Sequence, residues 1–333
     1  MKLQGEREMQ FNLYSAIYAI LIAFTINIFL CPLIIPFLTK LKFGQNVRDD
    51  GPKSHLIKSG TPTMGGIMIL ISLVISSIFF LKDNKDAMAV LFVTIGYGII
   101  GFIDDYIKVV KKRSLGLRAY QKIIGQLVIT GLFLYYLYNF SNIGTDIYIP
   151  FANGKTLELG ILFIPFFFIV MVGTVNSVNL TDGLDGLASG VTVLVVVFFL
   201  FSALSVNTGL LPITGAAVGS LLGFLLFNTH PAKVFMGDTG SLALGGLVAS
   251  IAIIMKMPLF ILIVGIIYVL EAISVMLQVG YFKLTKGKRL FKMAPLHHHF
   301  EQCGWKEVKV VTVFYIITAI ACLIGFLSTK NLF

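Results

Sequence analysis

Long apolar runs follow one another along the chain, and short polar segments separate them. A helix needs roughly 20 apolar residues to cross the hydrocarbon core of a bilayer. Ten runs approach or exceed that length, near residues 13–39, 65–81, 87–103, 121–139, 159–177, 186–205, 209–227, 240–256, 258–282 and 308–328. We therefore predict an all-α polytopic membrane protein, a bundle of ten transmembrane helices with both termini on one side. Because no linker separates soluble domains, residues 1–333 are predicted to form a single integral membrane domain.

The ninth run departs from this regular pattern. Its helical character continues from Leu259 towards Lys288, which is longer than a perpendicular crossing needs, so the helix must tilt, break or emerge. Glu271 lies near the middle of the run. A charge at that depth usually faces the bundle interior and has a partner. We interpret Glu271 as a buried structural residue, and a catalytic role is the less favoured alternative.

The segment Ser141–Glu158 is the longest loop on the side of the termini. Two short runs of β-prone residues flank Asn153-Gly154, a dipeptide typical of tight hairpin turns. The segment is therefore predicted to form a small external β-hairpin that caps the bundle.

Composition supports the membrane class, and charge gives the bundle an orientation. Hydrophobic residues make up 57% of the chain, charged residues 13%, and the mean hydropathy is +0.90, which excludes an ordinary soluble domain. Lys and Arg accumulate in loops that stay in the cytoplasm. One set of loops carries 19 of the 26 basic residues, and the other set, with both termini, carries seven. The first set is therefore predicted to be cytoplasmic and the termini extracytoplasmic.

The net charge of +10 raises the question of a nucleic-acid partner. The basic residues are spread over juxtamembrane loops rather than along one helical stripe. Anionic lipid headgroups account for such a distribution. We therefore predict membrane lipids as partners and no nucleic acid.

Five aspartates lie on the predicted cytoplasmic side, each where an apolar run meets a polar loop. They are Asp104, Asp105, Asp182, Asp185 and Asp238. Carboxylates at the mouth of a helix bundle are costly near lipid and tend to mark a functional site. Neighbouring helical positions point about 100° apart, so Asp104 and Asp105 are expected to differ in role. Taken alone, the Asp104-Asp105 pair favours interfacial solvation with Lys108 as a helical partner, whereas helix capping explains Asp182 about as well as function does and is also the alternative for Asp238.

The sequence around the later aspartates adds recognition chemistry. Side chains at steps of three, from Asn176 through Asn179 and Asp182 to Asp185, share one helical face. Asp238 stands at the predicted start of a helix among glycines, which suits a phosphate that arrives with a hard cation such as Mg²⁺. Amides, carboxylates and a metal together favour the binding of a phosphorylated ligand.

Two further loops on the same side carry basic and imidazole groups. One contains Lys58 and Thr63, which suit phosphate binding although ordinary loop chemistry explains them equally well. The other contains His297, His298 and His299 in a row. Consecutive residues rarely converge on one metal, so zinc is disfavoured and contacts to phosphate or sugar oxygens are preferred. Together the loops favour phosphoryl transfer between a lipid phosphate and a soluble nucleotide.

The motifs, taken in order, are similar to those of a known family. They are Lys58-Ser-Gly-Thr-Pro-Thr-Met-Gly-Gly, Gly-Phe-Ile-Asp104-Asp105-Tyr-Ile-Lys108, Asn176-Ser-Val-Asn-Leu-Thr-Asp-Gly-Leu-Asp185-Gly, Phe235-Met-Gly-Asp238-Thr-Gly-Ser and Pro295-Leu-His-His-His-Phe-Glu301. Over nearly its whole length the chain resembles the bacterial phospho-N-acetylmuramoyl-pentapeptide transferases of the polyprenyl-phosphate N-acetylhexosamine-1-phosphate transferase superfamily.

This resemblance implies a reaction, a cofactor and an architecture. Phospho-N-acetylmuramoyl-pentapeptide would pass from UDP-N-acetylmuramoyl-pentapeptide to undecaprenyl phosphate, giving lipid I and UMP, in the first membrane step of peptidoglycan synthesis. Mg²⁺ dependence, ten transmembrane helices, a homodimer and an active site on the cytoplasmic face of the bacterial cytoplasmic membrane are also implied. So is a broken ninth helix that leaves a lipid-facing groove.

Residue roles follow from the same match. The resemblance makes Asp238 the magnesium ligand, Asp104 the base that deprotonates the lipid phosphate, and Asp105 its neighbour in organising phosphate or metal. The remaining site residues are predicted to bind substrate. They are Lys58, Thr63, Lys108 and Lys122 towards phosphates; Asn176, Asn179, Asp182, Asp185, Asn228 and Phe235 towards the nucleotide and its pyrophosphate; and Gln278, His297, His298 and His299 towards nucleotide or sugar-phosphate oxygens.

Alternatives to this interpretation stay open. One-step attack by the lipid phosphate is favoured over an aspartyl-phosphate intermediate on Asp238 or Asp104. A transferase for N-acetylglucosamine-1-phosphate is the second choice, and the histidine motif disfavours it. A secondary transporter is less favoured, because transporters usually place their sites near the midplane between repeated halves.

Overall fold

The computed structural model describes residues 2–40, 60–81, 84–110, 116–141 and 143–330. These residues form twelve α-helices and one two-stranded sheet. The helices are α1 (Lys2–Lys40), α2 (Gly66–Ile78), α3 (Lys85–Val110), α4 (Ala119–Phe140), α5 (Phe163–Thr181), α6 (Leu187–Val206), α7 (Leu211–Asn228), α8 (Gly237–Ile254), α9 (Ile261–Val264), α10 (Ile266–Leu284), α11 (Leu296–Gln302) and α12 (Glu307–Ser328). The strands are β1 (Asp146–Tyr148) and β2 (Thr156–Glu158).

The helices bear out the multi-pass prediction. Within the described ranges, nine are long and apolar enough to cross a membrane, from α1 to α12. The run at 65–81 contains α2, which is apolar but only 13 residues long. The chain is therefore a multi-pass membrane protein, and the count of ten crossings and the side of the termini stay predictions.

Helix α8 lies at the centre of the bundle, where every residue from Thr239 to Ile254 is buried. Glycines let neighbouring helices approach its first turn closely. A Cβ at Gly101 of α3 would overlap the carbonyl of Asp238, and a Cβ at Gly66 of α2 would overlap the backbone of Gly240. Small residues allow such close contact between membrane helices. This packing sets the end of α3 directly against the start of α8.

The ninth apolar run is interrupted, as predicted. A 3₁₀ turn at Pro258–Phe260 and the single helical turn α9 precede Gly265, and α10 begins at the next residue. Gly265 adopts φ −94° and ψ 25°, which is outside helical geometry. The described structure therefore contains a short helical turn and a longer helix in place of one continuous helix.

The predicted hairpin is present. Strands β1 and β2 pair antiparallel, with Asp146 opposite Glu158. Asn153 and Gly154 both have positive φ, 54° and 79°, as a tight turn between twisted strands requires. Lys256, which follows α8, binds the Asp146 carboxylate at 2.6 Å and so ties the hairpin to the bundle. The hairpin lies at the end of the bundle opposite to the aspartates, since α8 begins beside Asp238 and ends beside the hairpin.

Candidate active site

Asp238, in the first turn of α8, is the centre of a polar cluster. Its Oδ2 atom accepts hydrogen bonds from Lys108 Nζ at 2.9 Å and Lys122 Nζ at 2.8 Å. Its Oδ1 atom accepts one from the Asn179 amide at 2.8 Å. The ends of α3, α4 and α5 therefore converge on one carboxylate. Asn179 also donates to Ser241 Oγ at 2.8 Å, which fixes its orientation.

Asp105 holds the start of α8 from outside that helix. Its Oδ1 atom accepts from the Asp238 backbone N–H at 3.2 Å. Its Oδ2 atom accepts from the Thr239 N–H at 2.9 Å and from the Thr239 hydroxyl at 2.7 Å. The first N–H groups of a helix have no partner within the helix. Asp105 supplies that partner, and its negative charge also suits the positive end of the helix dipole.

Asp104 faces a different set of partners, as expected for neighbouring helical positions. Its Oδ1 atom accepts from the Leu117 N–H at 2.8 Å, and its Oδ2 atom lies 2.5 Å from Lys108 Nζ. Both Asp104 and Asp105 are almost fully buried. The Lys108 ammonium also lies 2.9 Å from Asp238 Oδ2, so it bridges Asp104 and Asp238.

The three carboxylates also meet the donor requirement of a metal site. Acceptor oxygens of Asp104, Asp105 and Asp238 all lie within 4.8 Å of one another. Oxygen-only donor sets suit hard divalent cations. All three carboxylates accept hydrogen bonds in this structure, and Asp238, on which side chains of three other helices converge, is at the centre of the group.

Asp182 lies half-buried directly after α5, between Asn179 and Asp185. Burial disfavours its charged form, and the negative charges of Asp238, Asp105 and Asp185 disfavour it further, which raises the pKa of Asp182 to about 8. The side chain is thus largely a neutral carboxylic acid near pH 7. A neutral acid can donate a hydrogen bond to a phosphate or carbonyl oxygen. The alternative of capping α6 is not realised, since the N-cap residue there is Gly186.

Asp185 belongs to a second network, which holds the loop before α8. Its Oδ2 atom accepts from the Ala232 N–H at 3.0 Å and lies 3.1 Å from His230 Nδ1. Glu307, the first residue of α12, accepts from the Asp185 N–H at 2.8 Å. Asp185, His230 and Glu307 also form a group with metal-ligand spacing. Sequence reasoning missed His230 and Glu307, although Glu307 opens the last apolar run.

The three histidines lie on the short helix α11 rather than in an irregular loop, and each has a different environment. His297 is fully buried, and its ring Nδ1 lies 3.1 Å from Glu271 Oε2, while its N–H donates to Glu271 Oε1 at 3.2 Å. His298 Nδ1 lies 3.0 Å from Glu301. His299 accepts from the Lys292 N–H at 3.1 Å. The interpretation of Glu271 as a buried, partnered residue is confirmed.

His297 also touches the turn that carries Asp182 and Asp185. Its Nε2 atom packs against Gly183 so closely that a Cβ at that position would overlap the ring. The Nε2 atom is buried without a hydrogen-bond partner within the described part of the chain. The contact connects α10, through Glu271 and His297, to the predicted nucleotide pocket.

The other predicted substrate-binding residues occupy varied positions. Asn228 is buried, donates to the Val234 carbonyl at 3.0 Å and accepts from Ser189 at 2.5 Å. Gln278 accepts from the Leu290 and Phe291 N–H groups at 3.1 and 2.8 Å, which fixes the segment after α10. In this structure both side chains are occupied in holding loops, and their direct contact with substrate stays a prediction.

Two more predicted residues lie where α8 begins, and a third cannot be placed. Thr63 is buried beside Gly237, and the Phe235 N–H donates to the Pro62 carbonyl at 2.8 Å. The half-buried Phe235 therefore joins the segment around Thr63 to the loop before α8. Lys58 lies outside the described residues.

Asn176 is paired with Gln126, a residue that the sequence interpretation did not single out.

Comparison with known proteins gives the family of this chain. Residues 87–256 match the family model of glycosyl transferase family 4, and residues 58–70 match the phospho-N-acetylmuramoyl-pentapeptide-transferase signature 1. A phospho-N-acetylmuramoyl-pentapeptide-transferase of Clostridium botulinum (strain Eklund 17B / Type B) is 56% identical over 318 residues, which cover 94% of this chain and 96% of that protein. The chain belongs to the phospho-N-acetylmuramoyl-pentapeptide-transferase family.

Two further members of the phospho-N-acetylmuramoyl-pentapeptide-transferase family show similar coverage. The protein of Acetivibrio thermocellus is 52% identical over 325 residues, 97% of this chain and 98% of the relative. The protein of Clostridioides difficile (strain 630) is 50% identical over 322 residues, 96% and 99%. The matched region 87–256 contains all five aspartates of the site. The resemblance first seen in the motifs therefore extends through nearly the entire chain.

Proposed function

We propose that this protein transfers phospho-N-acetylmuramoyl-pentapeptide from UDP-N-acetylmuramoyl-pentapeptide to undecaprenyl phosphate. The products are lipid I and UMP, in the first membrane step of peptidoglycan synthesis. Family membership supports the choice of reaction. The observation that carries the proposal is the convergence of Lys108, Lys122 and Asn179 on Asp238, with Asp104 alongside. Such a cluster positions and neutralises charged phosphates, which supplies most of the catalysis in phosphoryl transfer.

The chain's own residues have separate roles in this reaction. Asp104 takes the proton from the lipid phosphate, whose oxygen then forms a bond to the phosphorus attached to the sugar. The bond from that phosphorus to the UMP oxygen breaks, and UMP leaves with the electron pair. Lys108 and Lys122 stabilise the negative charge that moves between the two phosphates. Asp105 keeps Asp238 in place by holding the first turn of α8.

The acidic cluster suits Mg²⁺, because the available ligands are oxygens. Bound magnesium would supply Lewis-acid stabilisation of the pyrophosphate and of the leaving UMP. Asp238 would hold it, and the Lys108 and Lys122 ammonium groups beside Asp238 would neutralise phosphate oxygens. Asp182, as a neutral acid, would donate a hydrogen bond to the nucleotide or its pyrophosphate.

The proposal includes a membrane setting. We infer ten crossings, a single domain over residues 1–333, both termini outside, and the active site at the cytoplasmic face of a bacterial cytoplasmic membrane. The excess of basic residues in the loops on the side of the aspartates supports this orientation. A homodimer is also proposed from the family resemblance. The second half of α10 exposes large apolar side chains, among them Met276 and Leu284, which supports a lipid-facing groove for the acceptor chain.

One assay tests the reaction. Purified protein in detergent is given undecaprenyl phosphate and either UDP-N-acetylmuramoyl-pentapeptide or UDP-N-acetylglucosamine, and UMP release is followed. We expect release with the first donor only. Release with the second donor alone would identify an N-acetylglucosamine-1-phosphate transferase. Accumulation of substrate in sealed vesicles without UMP formation would instead indicate a transporter.

A second assay tests the residue roles. Asp104→Asn and Asp238→Asn are expected to lower turnover by about 10³-fold or more, as loss of a base or a charge-stabilising group does. Asp86→Asn is the matched control, because Asp86 lies at the opposite end of α3 and accepts from Tyr136 and Ser141. Near-normal turnover in either active-site variant would refute the assigned role. Exchange of UMP into the donor without lipid acceptor would refute the one-step mechanism.

A further inference from the structure

A reciprocal amide pair joins α4 and α5 inside the bundle. Gln126 Oε1 accepts from Asn176 Nδ2 at 2.8 Å, and Gln126 Nε2 donates to Asn176 Oδ1 at 3.3 Å. Gln126 is fully buried. An amide without a partner is costly in an apolar interior, so each of these side chains depends on the other. Asn176 donates in addition to the Val172 carbonyl of its own helix, at 2.8 Å, which fixes its rotamer.

The pair lies one helical turn from two of the three side chains that hold Asp238. Gln126 is four residues beyond Lys122 on α4, and Asn176 is three residues before Asn179 on α5. Residues three or four apart on a helix lie on the same face. The amide pair therefore lies on the same faces of α4 and α5 as Lys122 and Asn179, one turn further along each helix from the two oxygens of Asp238 that these residues contact.

We propose that Gln126 and Asn176 are positioning residues for the transfer reaction. Their two hydrogen bonds fix the rotation and height of α4 relative to α5, and so set the Lys122 ammonium and the Asn179 amide on opposite oxygens of Asp238. Neither amide has to touch substrate for this role. The inference rests on the proposed function, since it concerns the same acidic cluster, and it changes the predicted role of Asn176 from substrate contact to support.

A positioning contact is needed because the long side chain of Lys122 can bind Asp238 from more than one position of α4. Lys122 has a flexible side chain, so hydrogen bonding to Asp238 alone does not fix the position of α4. A bidentate contact between two planar amides is sensitive to both sliding and rotation of the helices. Displacement of a catalytic group by about 1 Å is sufficient to lower turnover by about 10²-fold. Loss of the pair is therefore expected to act on turnover more than on nucleotide binding.

The test distinguishes a positioning role of Gln126 and Asn176 from direct contact with substrate and from a role in folding alone. Four variants are compared in the UMP-release assay, namely Gln126→Met, Asn176→Leu, the apolar double variant Gln126→Met with Asn176→Leu, and the exchanged pair Gln126→Asn with Asn176→Gln. Thr130→Val is the matched control, because Thr130 is a buried α4 residue one turn further from Asp238 whose hydroxyl bonds Tyr97 and the backbone carbonyl of Gln126, each at 2.7 Å, and makes no contact with the amide pair itself. The apolar double variant leaves no amide unpaired, which protects folding.

We expect Gln126→Met and Asn176→Leu each to lower kcat by about 10-fold to 10²-fold. The apolar double variant should lose no more than the single variants, because groups that act as one unit are not additive. KM for the UDP-linked donor should change less than about 3-fold. The exchanged pair should recover most of kcat, and the thermal stability of the double variant should match that of Thr130→Val.

Other outcomes would overturn the inference. If Asn176→Leu raised KM and Gln126→Met did not, Asn176 would be a substrate contact. If the two single losses multiplied in the double variant, the side chains would act independently. If all variants behaved like Thr130→Val, the pair would be structural only. Failure of the unchanged protein to release UMP would refute the proposed function instead, so the two failures are distinguishable.

Discussion

The carboxylate of Asp105 caps a helix that begins more than a hundred residues later, through two hydrogen bonds to Thr239 at 2.9 and 2.7 Å. The neighbouring Asp104 makes no such contact within the described structure and instead pairs with Lys108. Adjacent aspartates in the sequence therefore support α8 in one case and pair with a lysine that also binds Asp238 in the other. Their separate roles can be tested by separate measurements.

Substitution of Asp105 should affect stability as well as turnover. Asp105→Ala removes a buried acceptor for three donors at the start of α8, so we expect a loss of about 2–5 kcal/mol in unfolding free energy, through unpaired N–H groups. Asp104→Ala, which leaves the α8 cap intact, is the matched control and should lose less stability but as much turnover. Thermal unfolding in detergent measures the difference. Equal destabilisation by the two variants would contradict the capping role.

Loss of Lys122 should weaken catalysis while the fold persists. Lys122→Met removes one of the two ammonium groups on Asp238 Oδ2 but keeps the apolar stem of the side chain. We expect kcat to fall by about 10²-fold, as for removal of one charge-stabilising donor. Lys155→Met, on the turn of the hairpin, is the control, because that residue lies at the other end of the bundle. Unchanged kcat in Lys122→Met would place the charge stabilisation elsewhere.

The contact between Gly183 and His297 predicts a large effect from a single methyl group. Gly183→Ala would drive a Cβ into the buried imidazole, so we expect both a loss of stability and weaker nucleotide binding. Gly173→Ala is the control, because a Cβ at that position of α5 meets no atom within 4 Å. Alanine is also the better helix former by about 1 kcal/mol, so the control should be neutral or slightly stabilising. Similar behaviour of the two variants would show that the contact does not matter.

Glu271→Leu should destabilise the protein through His297. The substitution removes the acceptor of two His297 donors in a fully buried position, for which a cost of about 3–5 kcal/mol is typical. Glu271→Gln keeps an acceptor oxygen and the side-chain size, and should retain most of the stability. Chemical or thermal unfolding of the two variants gives the comparison. A Glu271→Leu protein as stable as Glu271→Gln would refute the structural role of the pair.

The raised pKa of Asp182, about 8, predicts how stability depends on pH. The folded protein holds this proton up to about pH 8, whereas the unfolded chain releases it near the usual aspartate pKa of about 4. The folded state therefore binds more protons between those values, and stability should fall as pH rises through this window. Melting temperatures of metal-free protein between pH 5 and pH 8 measure the slope. An unchanged slope in Asp182→Asn would contradict this assignment.

Much of the fold follows from local pattern. Runs of apolar residues separated by polar loops predict membrane helices, since the hydrocarbon core permits few other structures. Asn153-Gly154 predicts the hairpin because both positions tolerate positive φ. The overlong ninth run predicts a helix that tilts, breaks or emerges, and the break that the family resemblance implies occurs at Gly265. These features depend on neighbours within about 20 residues, so the sequence alone contains the necessary information.

The candidate site is only partly predictable in this way. The chemistry and common location of the aspartates follow from their positions at the ends of apolar runs. The partners do not, because Lys122 meets Asp238 and Gln126 meets Asn176 across 116 and 50 residues. No periodicity indicates that His297 is enclosed by Glu271 and Gly183, and its contact with substrate stays a prediction.

The sequence by itself determined a multi-pass helical protein with a set of aspartates at the ends of its apolar runs. Tertiary structure decided that Asp105 supports α8 and that Asp104 pairs with Lys108, since this depends on the rotation of α3 against α8. The close contact between Gly101 of α3 and the Asp238 carbonyl of α8 fixes this rotation, and Gly66 sets α2 against the same turn of α8. Local pattern determines where a helix lies along the chain, and packing between helices determines what each side chain meets.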